Sequence, residues 1–244
     1  MIRYNKLKTP GISVIIVVFN AVKHLESSIL SVVNQTSSKI ELIIIDGDST
    51  DGSVDIIRKY QDKISYWISE PDKGIYDAMN NGWNHANYDN HILFLGAGDT
   101  IIELPSKSEL KDDTVYFGDV ILGKDSNTFV SKVDFRLKIG NTIHHQALLV
   151  PKKLQLKDPF NIKYKVYADF DFNQRLFKRK VRYIKCSKLK AYVLPDGFSQ
   201  HYKTTEWYTI IKSNFGIAYA WLGYLYNQYQ ISRRKMPKIK SILA

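Results

Sequence analysis

Short apolar runs alternate with stretches of helical periodicity through the first hundred residues, and few folds accommodate that alternation. Residues 12–19 and 40–45 are nearly all apolar and rich in β-branched side chains. Strands of this composition are typical of parallel sheets that helices cover on both faces. Between the two runs, apolar side chains recur three and four residues apart, as on one face of a helix, at Val22, Leu25, Ile29, Val32 and Val33. The pattern predicts βαβ units and an α/β fold with a mostly parallel sheet flanked by helices.

The same patterns continue along the chain. Further strands are predicted at Tyr66–Ser69, 91–95, 114–117 and 147–150, and further helices at 74–86 and Ala168–Lys178. No linker, repeat or low-complexity tract divides the 244 residues, which suffice for one large α/β domain.

Acidic side chains follow the predicted strands where each one ends. Asp46 and Asp48 follow the second strand, Asp72 and Asp77 the third, and Asp99 the fourth. Open α/β sheets bind ligands along the carboxyl edge, where these strand ends meet. An aspartate there can accept hydrogen bonds from a nucleobase or a ribose, or ligate Mg²⁺ or Mn²⁺, whose other ligands come from a diphosphate and water. Turn and helix-cap roles explain the same residue types, so the residues alone leave both interpretations open.

Two common nucleotide sites lack their signatures. The sequence has no G-x-G-x-x-G after the first strand and no Walker-type glycine-lysine loop. The single cysteine, Cys186, cannot form an internal disulfide, which favours a reducing compartment. Residues 1–13 lack the apolar core of a signal peptide, so the chain is expected to stay in the cytoplasm.

Charge is distributed unevenly along the chain. The formal net charge is +11, yet residues 1–150 carry 15 basic and 19 acidic side chains, while residues 151–190 carry 13 and 3. A basic region attracts phosphates of nucleic acid, anionic lipid or a diphosphate alike. The acidic front argues against a nucleic-acid-binding protein.

Residues 206–229 combine aromatic and apolar side chains with helical spacing, and basic residues follow at Arg233, Arg234 and Lys235. Polar interruptions make this a poor membrane-spanning helix. The segment predicts an amphipathic helix on an anionic membrane, with Trp and Tyr at the level of the headgroups. A helix packed on the rest of the chain, or against a second copy in a homodimer, explains the same composition and stays open.

Four sequence blocks occur in order within residues 13–99: SVIIVVFN, IIIDGDSTDGS, SEPDKGIYDAMNNGWNHA and ILFLGAGD. In order and spacing they resemble the nucleotide-sugar-binding half of family 2 glycosyltransferases, most of all the branch that builds bacterial lipopolysaccharide, capsule and exopolysaccharide. A weaker resemblance continues through IHHQALLV and YADFDFNQRL. It implies a GT-A fold, in which a Rossmann-like sheet holds a nucleoside-diphosphate sugar and a divalent cation, and an inverting transfer.

The resemblance also implies roles for individual residues. The nucleotide-sugar site would include Phe19, Asn20, Asp46, Asp48, Asp72 and Asp77. Asp99 would be the metal-binding aspartate, with His201 as a further candidate. The sequence has Gly47 and Gly98 where the commoner family form has additional acids, but a Ser-Gly-Asp form occurs in the polysaccharide branch. One aspartate together with the diphosphate is therefore expected to hold Mg²⁺ or Mn²⁺.

His145 and Gln146 precede an apolar run and are candidates to line the site. The adjacent His144 and His145 could ligate a metal or contact a phosphate, but neighbours on a strand point to opposite faces, so at most one of these two histidines is expected to face the site. The family's base is a carboxylate at the start of a helix after the sheet, a position that Asp169 matches, with Asp171 as runner-up. An inverting transfer needs one such carboxylate to take the proton of the attacking hydroxyl, while the metal stabilises the leaving diphosphate.

The expected protein is an enzyme that moves a sugar from a nucleoside-diphosphate donor, with UDP as the expected nucleotide, to a lipid-linked or growing bacterial surface glycan at the inner face of the plasma membrane. Residues 1–202 would form the GT-A catalytic domain, with a nucleotide-sugar-binding half (1–100) and an acceptor half (101–202), and residues 203–244 a basic amphipathic extension. Two other classes stay open. A nucleotidyltransferase normally has a glycine-rich basic loop where this chain has VVFNAVKHLE, and a non-catalytic sugar- or lipid-binding module would explain the thinned metal motif.

Overall fold

The computed structural model describes residues 11–37, 39–123, 127–154, 157–194 and 204–235. The strands are β1 (Ile12–Val18), β2 (Ile40–Asp46), β3 (Tyr66–Ser69), β4 (His91–Gly96), β5 (Thr100–Glu103), β6 (Thr114–Leu122), β7 (Asn127–Phe129), β8 (Leu148–Pro151) and β9 (Arg182–Val193). The α-helices are α1 (Leu25–Val33), α2 (Ser53–Lys59), α3 (Ile75–His85), α4 (Ala168–Lys178), α5 (Thr204–Phe215) and α6 (Ile217–Lys235). The predicted α/β class is confirmed.

The first four strands form a parallel half-sheet in the order β3-β2-β1-β4. β8 pairs antiparallel with both β4 and β6, β9 runs parallel to β6, and β5 lies antiparallel at the far edge beside β9. β7 pairs with β6 off this path. Because β1 to β4 run in one direction, the loops that follow them share one edge of the sheet. That carboxyl edge is where the sequence predicts the ligand.

β1 shows why the sheet is covered on both faces. Every residue of this strand is buried. Side chains alternate between faces with a period of two. Those packed among residues of α1 and α2 are Ile12, Val14, Ile16 and Val18, whereas Ile15 and Val17 pack among residues of α3 and α4.

A buried polar cluster joins the opposite, amino edge of the sheet. The Glu41 carboxylate accepts hydrogen bonds from the Ser13 hydroxyl at 2.5 Å, the Asn87 backbone N–H at 2.8 Å and the Asn90 side chain at 3.3 Å. Asn90 in turn accepts the Gly11 N–H. Buried polar groups are stable when they are hydrogen-bonded, so this cluster fixes β1, β2 and the start of β4 relative to one another. Its role is structural.

Three predicted boundaries move. The first helix begins at Leu25 rather than near Val22, because the Val22 N–H donates to Asp51 Oδ2 at 2.9 Å. The strand predicted at 114–117 continues as β6 to Leu122. The strand predicted at 147–150 begins at Leu148, since His145–Ala147 form a turn of 3-10 helix.

The C-terminal segment, predicted to be helical and amphipathic over residues 206–229, forms two helices, and its placement on a membrane stays a prediction. Gly216 separates α5 from α6 with a φ of +90°, in the left-handed region that favours glycine. α5 buries Trp207, Ile210 and Ile211 against Phe170 of α4. Within the described ranges, no helix combines the length and hydropathy needed to cross a membrane.

A carboxylate of α5 binds the backbone that leads into α4. Glu206 accepts three consecutive backbone N–H groups, from Lys165 at 2.9 Å, Val166 at 2.8 Å and Tyr167 at 2.7 Å. It satisfies amides at a helix start, as an N-cap side chain would, but from another helix. The division of the chain at residue 203 into a catalytic domain and a separate extension stays a prediction. The first helix of that segment, α5, packs closely against α4.

Candidate active site

Asp46 ends β2 and is fully buried at the carboxyl edge of the sheet. Its Oδ2 accepts the Ser49 backbone N–H at 2.9 Å and the Ser69 hydroxyl at 2.6 Å. Its Oδ1 is also buried, and no donor among the described residues binds it. Leaving a buried carboxylate oxygen without a hydrogen bond is costly. This atom is therefore a buried acceptor that the described residues leave unpaired.

Phe19 and Asp72 enclose the residue that follows Asp46. A Cβ at Gly47 would lie 2.6 Å from Asp72 Oδ2 and 3.4 Å from Phe19 Cδ2. Phe19 is 67% exposed at the end of β1, and Asp72 accepts the Gly74 N–H at 2.7 Å. The structure thus brings Phe19, Asp46 and Asp72 together. A side chain at position 47 would require the exposed Asp72 carboxylate to move.

Asn20 joins the loops that follow β1 and β2. Its backbone N–H donates to the Ser49 hydroxyl at 2.8 Å, and its side-chain oxygen accepts the Thr50 N–H at 3.0 Å. Asn20 has a φ of +47°, which an asparagine tolerates better than most residues. The side chain of Asn20 therefore shapes the rim of the site.

Asp48 is exposed and lines a cavity of about 490 Å³ beside β2 and β3. Ser49 and Ser69, which bind Asp46, line the same cavity. The cavity therefore lies next to the Asp46 carboxylate.

Asp77 lies in the first turn of α3, where its carboxylate accepts the Lys73 N–H at 3.0 Å. Asp77 and Asp72 also line a second cavity of about 940 Å³, which extends past residues 158–164 to Asp171 on α4. Asp77 thus has a local structural role and also lines a cleft next to residues predicted to bind the nucleotide sugar.

Asp99 lies in the loop after β4. Its Oδ2 accepts the Gly96 N–H at 3.2 Å and a side-chain N–H of Gln146 at 3.0 Å, and its Oδ1 accepts the Leu194 N–H at 3.0 Å. Gly98 has a φ of +112°, and a Cβ there would lie 2.7 Å from Leu194 Cδ2. Position 98 therefore requires glycine, which explains why this chain lacks the additional acid of the commoner metal motif.

Asp169 lies in the first turn of α4 with its side chain 14% exposed. Its Oδ2 lies 3.4 Å from His145 Nδ1 and accepts the Asn141 side-chain N–H at 3.2 Å. Burial raises the pKa of the Asp169 carboxyl, but the hydrogen bond from His145 and the charges of His145 and His144 outweigh burial and hold the pKa below its usual value. Asp169 is therefore ionised at neutral pH, as a general base must be.

One turn of 3-10 helix bridges the two candidate carboxylates. Gln146 donates to Asp99, and His145 contacts Asp169. His145–Ala147 form a 3-10 turn rather than part of a strand, and consecutive side chains of such a turn are about 120° apart rather than opposite. Four of the predicted site residues consequently form one connected cluster.

Asp171 occupies a different environment. It is 4% exposed, its Oδ2 accepts the Arg175 Nε–H at 2.7 Å, and its Oδ1 accepts the Asn214 side-chain N–H at 3.0 Å. Asp171 also lines the larger of the two cavities. Its ion pair with Arg175, one turn along α4, gives it a structural role.

Comparison with known proteins identifies the family. Residues 13–103 match the family described as Glycosyl transferase family 2. A Mycobacterium tuberculosis protein described as a PGL/p-HBAD biosynthesis glycosyltransferase is 32% identical over 183 residues, which cover 70% of this chain and 71% of the relative. The chain belongs to glycosyltransferase family 2. It is a glycosyltransferase.

Solved structures show the fold of this family 2 glycosyltransferase. Staphylococcus aureus TarS residues 1–349, solved with UDP-GlcNAc, superimpose with a TM-score of 0.63 at 18% identity, over 94% of this chain and 76% of that one. The mannosyltransferase PcManGT from Pyrobaculum calidifontis, solved with GDP-Man and Mn²⁺, gives a TM-score of 0.55 at 15% identity, over 94% and 66%. At these identities the likeness establishes the GT-A fold.

The predicted metal residues of this glycosyltransferase are Asp99 and His201. Within the described ranges, His, Cys, Asp and Glu side chains nowhere gather in threes, as a site built from protein ligands alone would require. His201 lies outside the described residues. Asp99 is the metal candidate that the structure places at the carboxyl edge.

Several polar contacts of this glycosyltransferase site escape sequence reasoning. Ser49 and Ser69, which donate hydrogen bonds to Asp46, lie at or just after strand ends. The criterion that selects the aspartates, a polar residue where a strand ends, would also have selected these serines. Asn141 contacts Asp169 across 28 positions of sequence, and no spacing rule links the two. The Tyr76 hydroxyl donates to the Val166 carbonyl at 2.7 Å, just before α4. These long-range contacts require the fold.

Proposed function

We propose that this glycosyltransferase transfers a sugar from a UDP-linked donor, with inversion, to a bacterial surface glycan. The observation that carries the donor half is Asp46 Oδ1, a buried carboxylate oxygen that accepts no hydrogen bond from the described residues. It lies at a strand end beside a cavity, where a ring N–H of a nucleobase would satisfy it. Uracil has such an N–H at N3, whereas cytosine has an acceptor there. The TarS structures with UDP and UDP-GlcNAc support the same choice.

Asp169 is the proposed general base. As the acceptor oxygen forms its bond to the anomeric carbon, its hydroxyl proton passes to the Asp169 carboxylate, and the bond from that carbon to the diphosphate oxygen breaks. Attack opposite the leaving group inverts the anomeric centre. His145 and Asn141 hold the carboxylate in place for this proton transfer.

The residues present fit a divalent cation held by a single carboxylate. Among the described residues, Asp99 Oδ1 accepts one hydrogen bond, and the buried Oε1 of neighbouring Gln146 accepts none. Oxygen atoms of this kind suit Mg²⁺ or Mn²⁺, which take their other ligands from a diphosphate and water. When bound, the cation would offset the charge that builds on the leaving diphosphate. Divalent cations are common in this family.

The proposed acceptor is a lipid-linked or growing glycan of the lipopolysaccharide, capsule or exopolysaccharide class, reached at the inner face of the plasma membrane. The mycobacterial relative's description as a PGL/p-HBAD biosynthesis enzyme supports a glycolipid acceptor. The basic, aromatic C-terminal segment supports a peripheral membrane location.

Isothermal titration with UDP and CDP in the presence of Mn²⁺ tests the donor assignment. We expect UDP to bind at least about 10-fold more tightly than CDP, since a hydrogen bond to a charged group contributes about 1.5–3 kcal/mol. In Asp46→Asn, the amide oxygen would face the Ser49 N–H, so the amide NH₂ would replace Oδ1 and repel the uracil N–H. The variant should lose the preference for UDP.

Asp113→Asn, an exposed acid before β6, is the matched control and should bind UDP as the wild type does. Equal affinity for the two nucleotides in the wild type would overturn the donor assignment. Asp99→Asn should give the same UDP affinity in Mn²⁺ and in chelator, and a retained metal effect would overturn the metal assignment.

A further inference from the structure

α6 presents one face to the rest of the fold. A Cβ at Gly223 would lie 2.9 Å from Ile211 Cδ1 on α5 and 3.2 Å from the Ile139 carbonyl oxygen. Tyr219 and Tyr226, four residues before and three after, lie on the same side of the helix. α6 therefore packs closely on α5 and on the segment that ends near Ile139.

The opposite face of α6 carries a row of large apolar side chains, here called the α6 stripe. Its members are 48–62% exposed and mostly recur four residues apart: Ile217, Trp221, Leu222, Leu225 and Tyr229. Single exposed apolar residues are ordinary on a protein surface, but a contiguous row marks an interaction surface. Packing against the rest of the fold therefore accounts for the apolar residues of α5, but not for those on this exposed face of α6.

The segment around Arg136 lies alongside α6. Lys138 Nζ donates to the Tyr219 hydroxyl at 3.3 Å and lies 4.9 Å from the centre of that ring. This contact places the segment beside the side of α6 that faces the fold.

The charge of the C-terminal segment selects among partners. Beyond Glu206 the sequence contains no acidic residue, and its cations are Lys212, Arg233, Arg234, Lys235, Lys238 and Lys240. Aromatic and apolar side chains on a segment whose sequence carries this net positive charge are complementary to an anionic lipid surface. Two copies of the same segment would instead repel each other.

We propose that the α6 stripe is the face on which this protein lies on an anionic membrane.

Vesicle co-sedimentation of the full chain tests the docking. We expect binding to phosphatidylglycerol-containing vesicles to exceed binding to pure phosphatidylcholine vesicles, and to weaken as salt is raised to about 0.5 M. Trp221→Ser with Leu225→Ser should weaken vesicle affinity by at least about 10-fold. Ile102→Ser, which removes an apolar side chain 46% exposed on β5, is the matched control and should bind as the wild type does.

Thermal midpoints and UDP affinity in the absence of vesicles should be the same in all these variants. Equal sedimentation with both vesicle types, or unchanged binding by the stripe variant, would overturn the proposal. So would light scattering that shows a wild-type dimer converted to a monomer by the same two substitutions. Failure of the UDP assignment would leave vesicle binding untouched, so the two proposals fail separately.

Discussion

At the scale of single residues, the two aspartates that open α4 differ in what holds them. Asp169 contacts a histidine and an amide, whereas Asp171 is buried in an ion pair. Asp169 is the proposed general base, and Asp171 is bound to Arg175 one turn later. The two assignments predict different effects of substitution.

Asp169→Asn should lower the rate of sugar transfer by about 10²-fold or more, the usual scale of lost general-base catalysis, and leave UDP affinity unchanged. Asp171→Asn should instead lower the free energy of unfolding by about 1–3 kcal/mol, because Arg175 loses its charged partner. Transfer assays and urea denaturation of both variants measure the two effects. The opposite pattern would make Asp171 the base.

His91, which begins β4, should make stability depend on pH. It is 1% exposed and its Nε2 lies 3.2 Å from the Lys111 carbonyl oxygen. Burial, aided by the charge of Lys107, lowers the His91 pKa from 6.5 to about 4. Because the folded state binds the proton less tightly than the unfolded state, this stability is complete above about pH 6.5 and is lost as pH falls towards 4, by about 3 kcal/mol.

Urea denaturation between pH 7 and 4 measures that loss. His91→Gln should lose less stability than the wild type across this range. His24→Gln, which changes an exposed histidine, should follow the wild-type curve. Parallel curves for His91→Gln and wild type would contradict the prediction.

The strand-end aspartates were predictable because the apolar runs before them are unambiguous. The oxygen of Asp46 that accepts no hydrogen bond was not predictable, because it depends on Ser49 and Ser69 both donating to the other oxygen. The bridge through His145 and Gln146 was missed for a local reason, because a 3-10 turn and a strand start look alike in an apolar run.

At the scale of elements, α3 meets β1 at a glycine. A Cβ at Gly82 would lie 2.4 Å from Ile15 Cγ2, close to the backbone of a fully buried strand. Helix propensity favours Gly82→Ala by about 1 kcal/mol, but overpacking a core costs about 1–3 kcal/mol. Because the β-branched Ile15 cannot turn away, we expect a net loss of stability.

Thermal denaturation measures this loss. Asn84→Ala, an exposed position on the same helix, is the matched control and should change the free energy of unfolding by no more than about 0.5 kcal/mol. A Gly82→Ala variant more stable than the wild type would show that α3 can shift away from the sheet.

The parallel half of the sheet was predictable because its strands are buried on both faces and read as continuous apolar runs. β9 was not, because it is largely exposed and alternates lysine with small residues: RYIKCSKLKAYV. Its position beside β6 depends on long-range pairing, including a register shift near Asp119, which no local pattern encodes.

At the scale of the whole molecule, Glu206 connects the C-terminal helices to α4. Glu206→Gln keeps the shape but removes the charge that strengthens three amide hydrogen bonds. We expect the free energy of unfolding to fall by about 1–3 kcal/mol. Thr205→Ala, an exposed neighbour, should have little effect. Equal stability of the two variants in urea denaturation would contradict the prediction.

The three amides that Glu206 holds also limit how such enzymes can be recombined. A chimera that takes its C-terminal helices from a relative without a carboxylate at this position would leave the backbone before α4 without its acceptor. The first turn of α4, which carries Asp169, would then be less well fixed, however stably the transplanted helices fold. In this chain the C-terminal helices and α4 would therefore have to be exchanged together.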